Sequence, residues 1–216
     1  MLGNIMNHFF RRALFAFSIV LIVFFTFSAI KAQEGAQYVI SNELSSLTFN
    51  GDASVNDFSV NAEEIKGSVR FFSESESITH PSIDSAANGQ VIIPVKSMKG
   101  GNFLFNQDMY GALNAKEYPE IRFRLNALKT LQVDTISAEA RIFEAAGDLT
   151  ISGTTREITF NIVTSSSKDD QIQVEGSTSL LMSNFNIEPP KKVFGALKVE
   201  DRVDIKFNIV LNPAEN

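Results

Sequence analysis

The sequence predicts an all-β domain, an eight-stranded antiparallel barrel with one short helix between two of its strands. Three observations support this prediction: apolar and polar residues alternate along most of the chain, turn-forming residues separate the alternating runs, and only one segment has helical spacing. Alternation with period two places the apolar side chains of a strand on one face of its sheet. Such strands form a barrel or a sandwich, and even strand lengths with short connections favour the barrel.

The start of the chain differs in composition from everything that follows. Arg11 and Arg12 precede Ala13–Ile30, which contains no charged residue, and a small residue follows at a plausible cleavage point. This order is typical of a secretory signal. We therefore expect a signal peptide at residues 1–32 and one domain at residues 33–216, exported to the periplasm or the cell exterior. An uncleaved anchor is the alternative, since the apolar run is just long enough to span a bilayer; after cleavage we expect no stable membrane insertion.

Composition argues against several classes of function. The formal net charge of −6 lacks the basic footprint that a nucleic-acid-binding protein needs. The chain has no cysteine, and His80 is the only histidine beyond the expected signal, so the sequence offers neither a cysteine zinc site nor a histidine-based triad. We therefore expect no metal, no cofactor and no catalytic activity.

The alternating runs predict strands in the following order. Their apolar or small residues are Tyr38 to Asn50; Ile65, Gly67, Val69, Phe71; Val91, Ile93, Val95; Ile121, Phe123, Leu125, Ala127; Ile136, Ala138, Ala140, Ile142; Gly147 to Ser152; Ile158, Phe160, Ile162; Ile172 to Met182; and Val203 to Leu211. Turn-forming residues separate these runs, and those at residues 145–147 predict that one strand ends near Ile142 and another begins at Gly147.

One segment, Asn102 to Glu117, predicts the helix. Asn102 or Asn106 can cap its start, since asparagine side chains accept hydrogen bonds from free backbone N–H groups. Three apolar residues lie at i, i+4 and i+8, namely Phe105, Met109 and Leu113. Such a helix either seals one end of a barrel by ordinary packing or acts as a lid over its mouth.

Four stretches carry a resemblance to a known family. They are Ile93–Met98 with Asn106–Met109, Tyr118–Phe123, Gly147–Thr155, and Ser183–Ile187 with Val203–Ile205. The third is the most specific, because it matches the Gly-Asp-Leu-Thr-Ile-x-Gly-x-Thr hairpin of the YceI-like family almost position for position. Over essentially all of residues 33–216 the chain resembles this family of exported, lipocalin-like barrels, which bind polyisoprenoid lipids.

Two positions depart from the family pattern. Many members carry His-Asp-Trp where this chain has Asn56-Asp57-Phe58, and many carry an arginine in place of Ser183. Any role of that histidine or arginine is therefore absent or replaced here.

The resemblance implies non-catalytic binding, transport or sequestration of a long-chain isoprenoid or related lipid in the periplasm. Phenylalanine and methionine offer flexible apolar walls for such a chain. The residues on or near inward positions that we expect to line the cavity are Phe58, Phe71, Met98, Phe103, Phe105, Met109, Leu113, Phe123, Phe160, Met182, Phe185 and Phe207.

Other interpretations remain open at this point. Each of these side chains is also an ordinary core residue, since the period of a strand does not show whether a barrel is filled or hollow. An enzyme acting on a quinone or lipid in the same cavity, and a ligand-free structural or stress-associated barrel, are the alternative functions. The sequence leaves the ligand's length and headgroup open, and it does not decide between a monomer and a dimer.

Overall fold

Strands make up most of the described residues in the computed structural model of this chain. The structure describes residues 36–54, 56–71, 87–133, 140–166, 170–189, 191–192 and 197–214. The expected signal peptide, His80, and the predicted strand residues Ile136 and Ala138 lie outside these ranges.

The elements are short at the start of the chain and longer after the helix. In chain order they are β1 (Ala36–Ile40), β2 (Ser46–Ala53), β3 (Phe58–Ala62), β4 (Lys66–Phe71), β5 (Ala87–Pro94), β6 (Met98–Gly100), the helix α1 (Phe103–Ala112), β7 (Glu120–Val133), β8 (Ala140–Ile151), β9 (Thr154–Ser166), β10 (Ile172–Leu181), β11 (Lys191–Lys192) and β12 (Leu197–Pro213). Single 3₁₀ turns lie at Val95–Ser97 and Met182–Phe185.

The strands close into a barrel. The hydrogen-bonded order is β1-β4-β5-β7-β8-β9-β10-β12, and β12 pairs back with β1, which completes a ring of eight. All of these pairings are antiparallel. The strand β2 extends β1, β3 extends β4, and β6 extends β5. Three of the eight barrel strands therefore consist of two segments each. The predicted eight-stranded antiparallel barrel with one short helix is confirmed.

The last strand closes the ring because of its length. With 17 residues, β12 pairs with β10 along one side and with both β2 and β1 along the other. Its inward side chains alternate as the sequence predicted, and Ile205, Ile209 and Leu211 are buried.

The predicted turn at residues 145–147 is wrong. The strand β8 runs unbroken from Ala140 to Ile151, and its buried residues are Phe143, Ala145, Gly147, Leu149 and Ile151. The inward face therefore carries the odd-numbered residues, and Ile142 faces outward, against the sequence prediction. Small residues occupy positions 145 and 147 because of what packs on them, not because the chain turns.

Inward glycines lie beneath phenylalanine rings of neighbouring strands. The pairs are Gly51 with Phe58, Gly147 with Phe123, and Gly176 with Phe207. A Cβ atom added to Gly147 would lie 2.6 Å from Phe123 Cζ, closer than real contacts allow. An eight-stranded barrel has a narrow interior, so a large ring on one strand requires a small residue beside it.

Gly147→Ala is expected to lower the free energy of unfolding by about 1–3 kcal/mol, since the added methyl group overpacks the Phe123 ring and the Arg124 carbonyl. Urea unfolding followed by circular dichroism measures the change.

Gly111→Ala is the matched control for this substitution. An added Cβ at this position on α1 meets nothing within 4 Å. Because alanine favours a helix over glycine, we expect unchanged stability or a gain of up to about 1 kcal/mol. Equal stability of both variants would contradict the packing described for Gly147.

Candidate functional site

The predicted site residues are spread along the barrel axis. We call the barrel end that carries α1 the helix end; the strands β6, β8 and β10 finish there. We call the opposite end, where β1, β5, β8 and β10 start, the far end. The helix end holds Phe58, Met98, Phe105, Met109, Leu113, Met182 and Phe185. The middle holds Phe123, Phe160 and Phe207, and Phe71 lies at the far end.

Three aromatic rings form a continuous layer in the middle of the barrel. The ring centroids of Phe123 and Phe160 are 5.4 Å apart, and those of Phe160 and Phe207 are 5.7 Å apart. Their strands β7, β9 and β12 alternate with β8 and β10, which contribute Gly147 and Gly176. Tilted and edge-to-face rings at these distances attract one another beyond the area that they bury.

The buried residues inside the barrel form two clusters rather than one. The smaller cluster, Phe143, Ala145 and Ile162, is separate from the larger one. Four inward side chains pack against both clusters and remain half-buried: Leu125, Leu128, Val174 and Phe207. A core packed throughout would bury them fully. These four side chains therefore keep accessible apolar surface where they join the two clusters, and we call the region around them the inner gap.

The helix end is closed by α1, which hydrogen bonds hold to the strand β6. The hydroxyl of Tyr110 lies 2.8 Å from the Met98 carbonyl oxygen, and Gly100 N–H donates to Asn106 Oδ1 at 2.9 Å. The Phe105 ring packs against the Phe58 ring with centroids 5.6 Å apart. Asn106 is thus a tether and not the cap.

The cap of α1 is Asn102, whose side chain accepts from Phe105 N–H at 3.0 Å. The helix ends at Ala112, so the predicted end at Glu117 is too late. A short turn with Asn114 at a positive φ of 48° follows.

The other side of the helix end is held by two of the family-like stretches. Ser152 Oγ donates to the Leu113 carbonyl oxygen at 2.8 Å. The Tyr118 ring covers Gly153, where an added Cβ would lie 2.6 Å from the ring, and the φ of +75° there also favours glycine. With bonds on both sides, α1 fits a seal better than a lid.

The prediction that Phe103 lines the interior is wrong. Its side chain is 73% exposed, as is that of Leu104 at 69%. On an α-helix, Phe105, Met109 and Leu113 share one face, and a residue two positions before Phe105 points to nearly the opposite side. Ligand contact by the other predicted residues stays a prediction.

The carboxylates with lowered pKa lie on the outer wall. Arg124 and Asn126 donate to Asp148 at 2.7 and 3.0 Å, and these bonds lower the pKa of Asp148. The Ser183 hydroxyl and backbone N–H donate to Asp201 at 2.5 and 2.8 Å and lower the pKa of Asp201 in the same way. Asp201 therefore accepts from the start of the Met182–Phe185 turn, and its hydroxyl partner Ser183 lies at the position where many family members carry arginine.

Charge is kept off the deep interior of the described barrel. Within the described ranges, no polar or charged residue is fully buried, and no group of three or more His, Asp or Glu side chains could hold a metal ion. Over the same ranges, no helix has the length and apolarity needed to cross a membrane.

Sequence reasoning missed the inward residues Phe143 and Leu128. It placed Val174 on the apolar face of its strand but did not include it among the site residues. The signal for Phe143 was present, because Phe143 to Ile151 alternates against Glu144, Asp148 and Thr150, with Ala146 as the one apolar residue on the outer side. Leu128 was hidden by a β-bulge between Leu125 and Ala127, which shifts the inward face by one residue.

Comparison with known proteins agrees with this architecture. The model of the YceI-like domain family matches residues 38–211, which include all four family-like stretches. No curated protein matches the chain.

Solved structures share the fold at low sequence identity. BcnA of Burkholderia cenocepacia is 20% identical with a TM-score of 0.64, over 79% of this chain and 98% of that one. A polyisoprenoid binding domain from Saccharophagus degradans is 12% identical with a TM-score of 0.62, over 83% and 99%. A YceI protein of Campylobacter jejuni is 17% identical with a TM-score of 0.53, over 72% and 85%. At these identities the likeness shows the fold alone.

Ser183→Ala is expected to raise the pKa of Asp201 towards its ordinary value near 3.8, because the hydroxyl bond to the carboxylate is lost. A lowered pKa in the folded state stabilises the protein above the unfolded-state pKa, and this stabilisation is lost as the pH falls through the folded-state value. An NMR titration of the side-chain carboxyl carbons measures the pKa of Asp201 in the folded wild type and in the folded variant. The pKa of Asp148 is the internal control and must stay the same in both proteins. An unchanged pKa of Asp201 would show that the Ser183 hydroxyl does not lower it.

Proposed function

The chain belongs to the YceI-like domain family, as its motifs predicted, and we propose that its barrel binds one long-chain isoprenoid-type lipid without catalysing a reaction on it. The observation that carries this proposal is the inner gap. Its four side chains face inward and keep accessible apolar surface, within a wall that also includes the Phe123, Phe160 and Phe207 layer.

Apolar burial alone is sufficient to hold such a ligand. Enclosing ten methylene-like units contributes roughly 8 kcal/mol before the costs of ordering the ligand and the protein. The half-buried phenylalanines and methionines adapt their rotamers to an unsaturated chain more readily than branched side chains do. A solved protein of the same fold is described as a polyisoprenoid binding domain.

The positions of the acidic groups support binding over catalysis. An enzyme working in the same cavity needs convergent polar groups, such as a nucleophile beside a base, on the inner wall. In the described part of the chain, Asp148, Asp201 and Asp204 have lowered pKa values because of hydrogen bonds on the outer wall. These are the environments of structural carboxylates, which stay ionised and hold neighbouring strands.

We place this function in the periplasm or outside the cell. The support is the signal-like composition of residues 1–32, with a basic start and an uncharged apolar run. A carrier or sequestering protein in this compartment would keep a water-insoluble lipid out of contact with water between membranes.

Val174→Phe is expected to abolish lipid binding, since the added ring fills the inner gap from β10. The measurement is mass spectrometry of an organic extract of protein purified from its native compartment, with the extract of the variant run in parallel. A second arm incubates each purified protein with a polyprenol and measures the bound amount.

Val163→Phe is the matched control, because Val163 faces outward on β9 and is 42% exposed. Both variants must show the same cooperative thermal unfolding for the comparison to count. A stoichiometric isoprenoid in the wild type and in Val163→Phe, absent from Val174→Phe, supports the proposal. Wild-type protein without bound lipid in both arms contradicts the proposal. A structural role of a packed, ligand-free barrel is then the alternative to test.

A further inference from the structure

The inner wall differs in polarity between its two ends. Towards the helix end the inward side chains are apolar apart from Thr178 on β10, with Met98 and Phe185 buried and Met182 half-buried. Towards the far end, the inner face includes two residues that carry hydroxyl groups: Tyr38, which is buried, and Thr164, which pairs with Val174.

The same face also includes a cation, Arg141 near the start of β8. Its Cα partner on β9 is Thr164, and the partner of Thr164 on β10 is Val174. Directly paired residues of antiparallel strands share a face. Phe143 and Ile162, two residues further along β8 and β9, are buried on the inner side. Arg141 therefore lies on the inner face, half-buried, in one row with a residue of the inner gap.

This position gives the guanidinium group unusual surroundings. Its strand neighbour Phe143 is 1% exposed, so the arginine borders an apolar wall where charged hydrogen bonds are stronger than in water. A guanidinium offers five donors in a planar fork that matches two oxygens of a carboxylate or phosphate, in addition to contacts within the protein.

Tyr38 lies on the opposite wall of the barrel and is a weaker candidate partner for an anion. Its ring packs edge-to-face on Phe71 with centroids 5.7 Å apart. Burial raises the pKa of Tyr38, and the nearby charge of Asp170 raises it further. That carboxylate would repel an anion, which favours the wall that carries Arg141 and Thr164.

We propose that the barrel selects lipids with one anionic headgroup, a phosphate or a carboxylate. Arg141 and Thr164 bind this headgroup at the far end, and the tail runs through the inner gap towards the helix end. This inference rests on the proposed lipid-binding function and adds to it the class and the orientation of the ligand.

Three probes with one tail test the proposal: farnesyl phosphate, farnesoic acid and farnesol. Titration calorimetry at pH 7, below the aggregation limit of each probe, gives the Kd values for the whole exported domain. We expect the wild type to bind at least one of the two anions about tenfold or more tightly than farnesol, the range of one charge-assisted hydrogen bond.

Arg141→Met is expected to bring the anions within about threefold of farnesol and to leave the Kd for farnesol unchanged. Arg124→Met is the matched control, because Arg124 pairs with Asp148 on the outer wall at 2.7 Å. It must keep the wild-type preference.

The outcomes separate this inference from the proposed function. A preference for the phosphate, the carboxylate or both that disappears only in Arg141→Met supports the oxyanion site. It also shows which of the two headgroups the site prefers. Equal binding of all three probes to the wild type overturns the site but leaves lipid binding intact. Equal weakening of all three probes by Arg141→Met assigns the arginine to structural support and also overturns it. No binding of any probe to the wild type argues against the proposed function itself.

Discussion

The narrow interior of an eight-stranded barrel is the constraint on which the rest of this structure depends. A ring of eight strands leaves room for side chains from its wall and little more, so each large residue determines the size of its neighbours. Here the rings of Phe58, Phe123 and Phe207 lie over Gly51, Gly147 and Gly176. The glycines weaken their strands locally, but they leave room for the aromatic rings of neighbouring strands to lie against the wall.

This arrangement explains why the barrel has two buried clusters and not one. Rings that lie against the wall leave the side chains between them partly accessible, and Leu125, Leu128 and Val174 remain half-buried although they face inward. A filled core would be more stable, because each unfilled volume costs dispersion contacts. The accessible apolar surface is therefore a cost to folding that binding of an apolar chain would offset.

The two ends of the barrel have different tasks. At the helix end, residues of the family-like stretches make the contacts: Tyr118 covers Gly153, Ser152 donates to the Leu113 carbonyl, and Ser183 donates to Asp201. These contacts hold the seal, so the most recognisable motifs of the chain serve its architecture. Towards the far end, hydroxyl groups and Arg141 border the same apolar interior. A barrel that is apolar at one end and polar at the other is suited to an amphiphile in one orientation.

The sequence by itself predicted the all-β class, the single helix, the antiparallel barrel and the family, because alternation, turn residues and local motifs are encoded by neighbours along the chain. It left open whether Asn102 or Asn106 caps the helix, and the structure assigns Asn102. It did not determine which face of β8 is inward, or that Phe103 is exposed while Phe105 is not. Those depend on bulges, on helix phase and on partners from distant strands, such as Phe123 over Gly147. Whether the interior is filled depends on how side chains from eight strands meet across the barrel, and only the tertiary structure decides that.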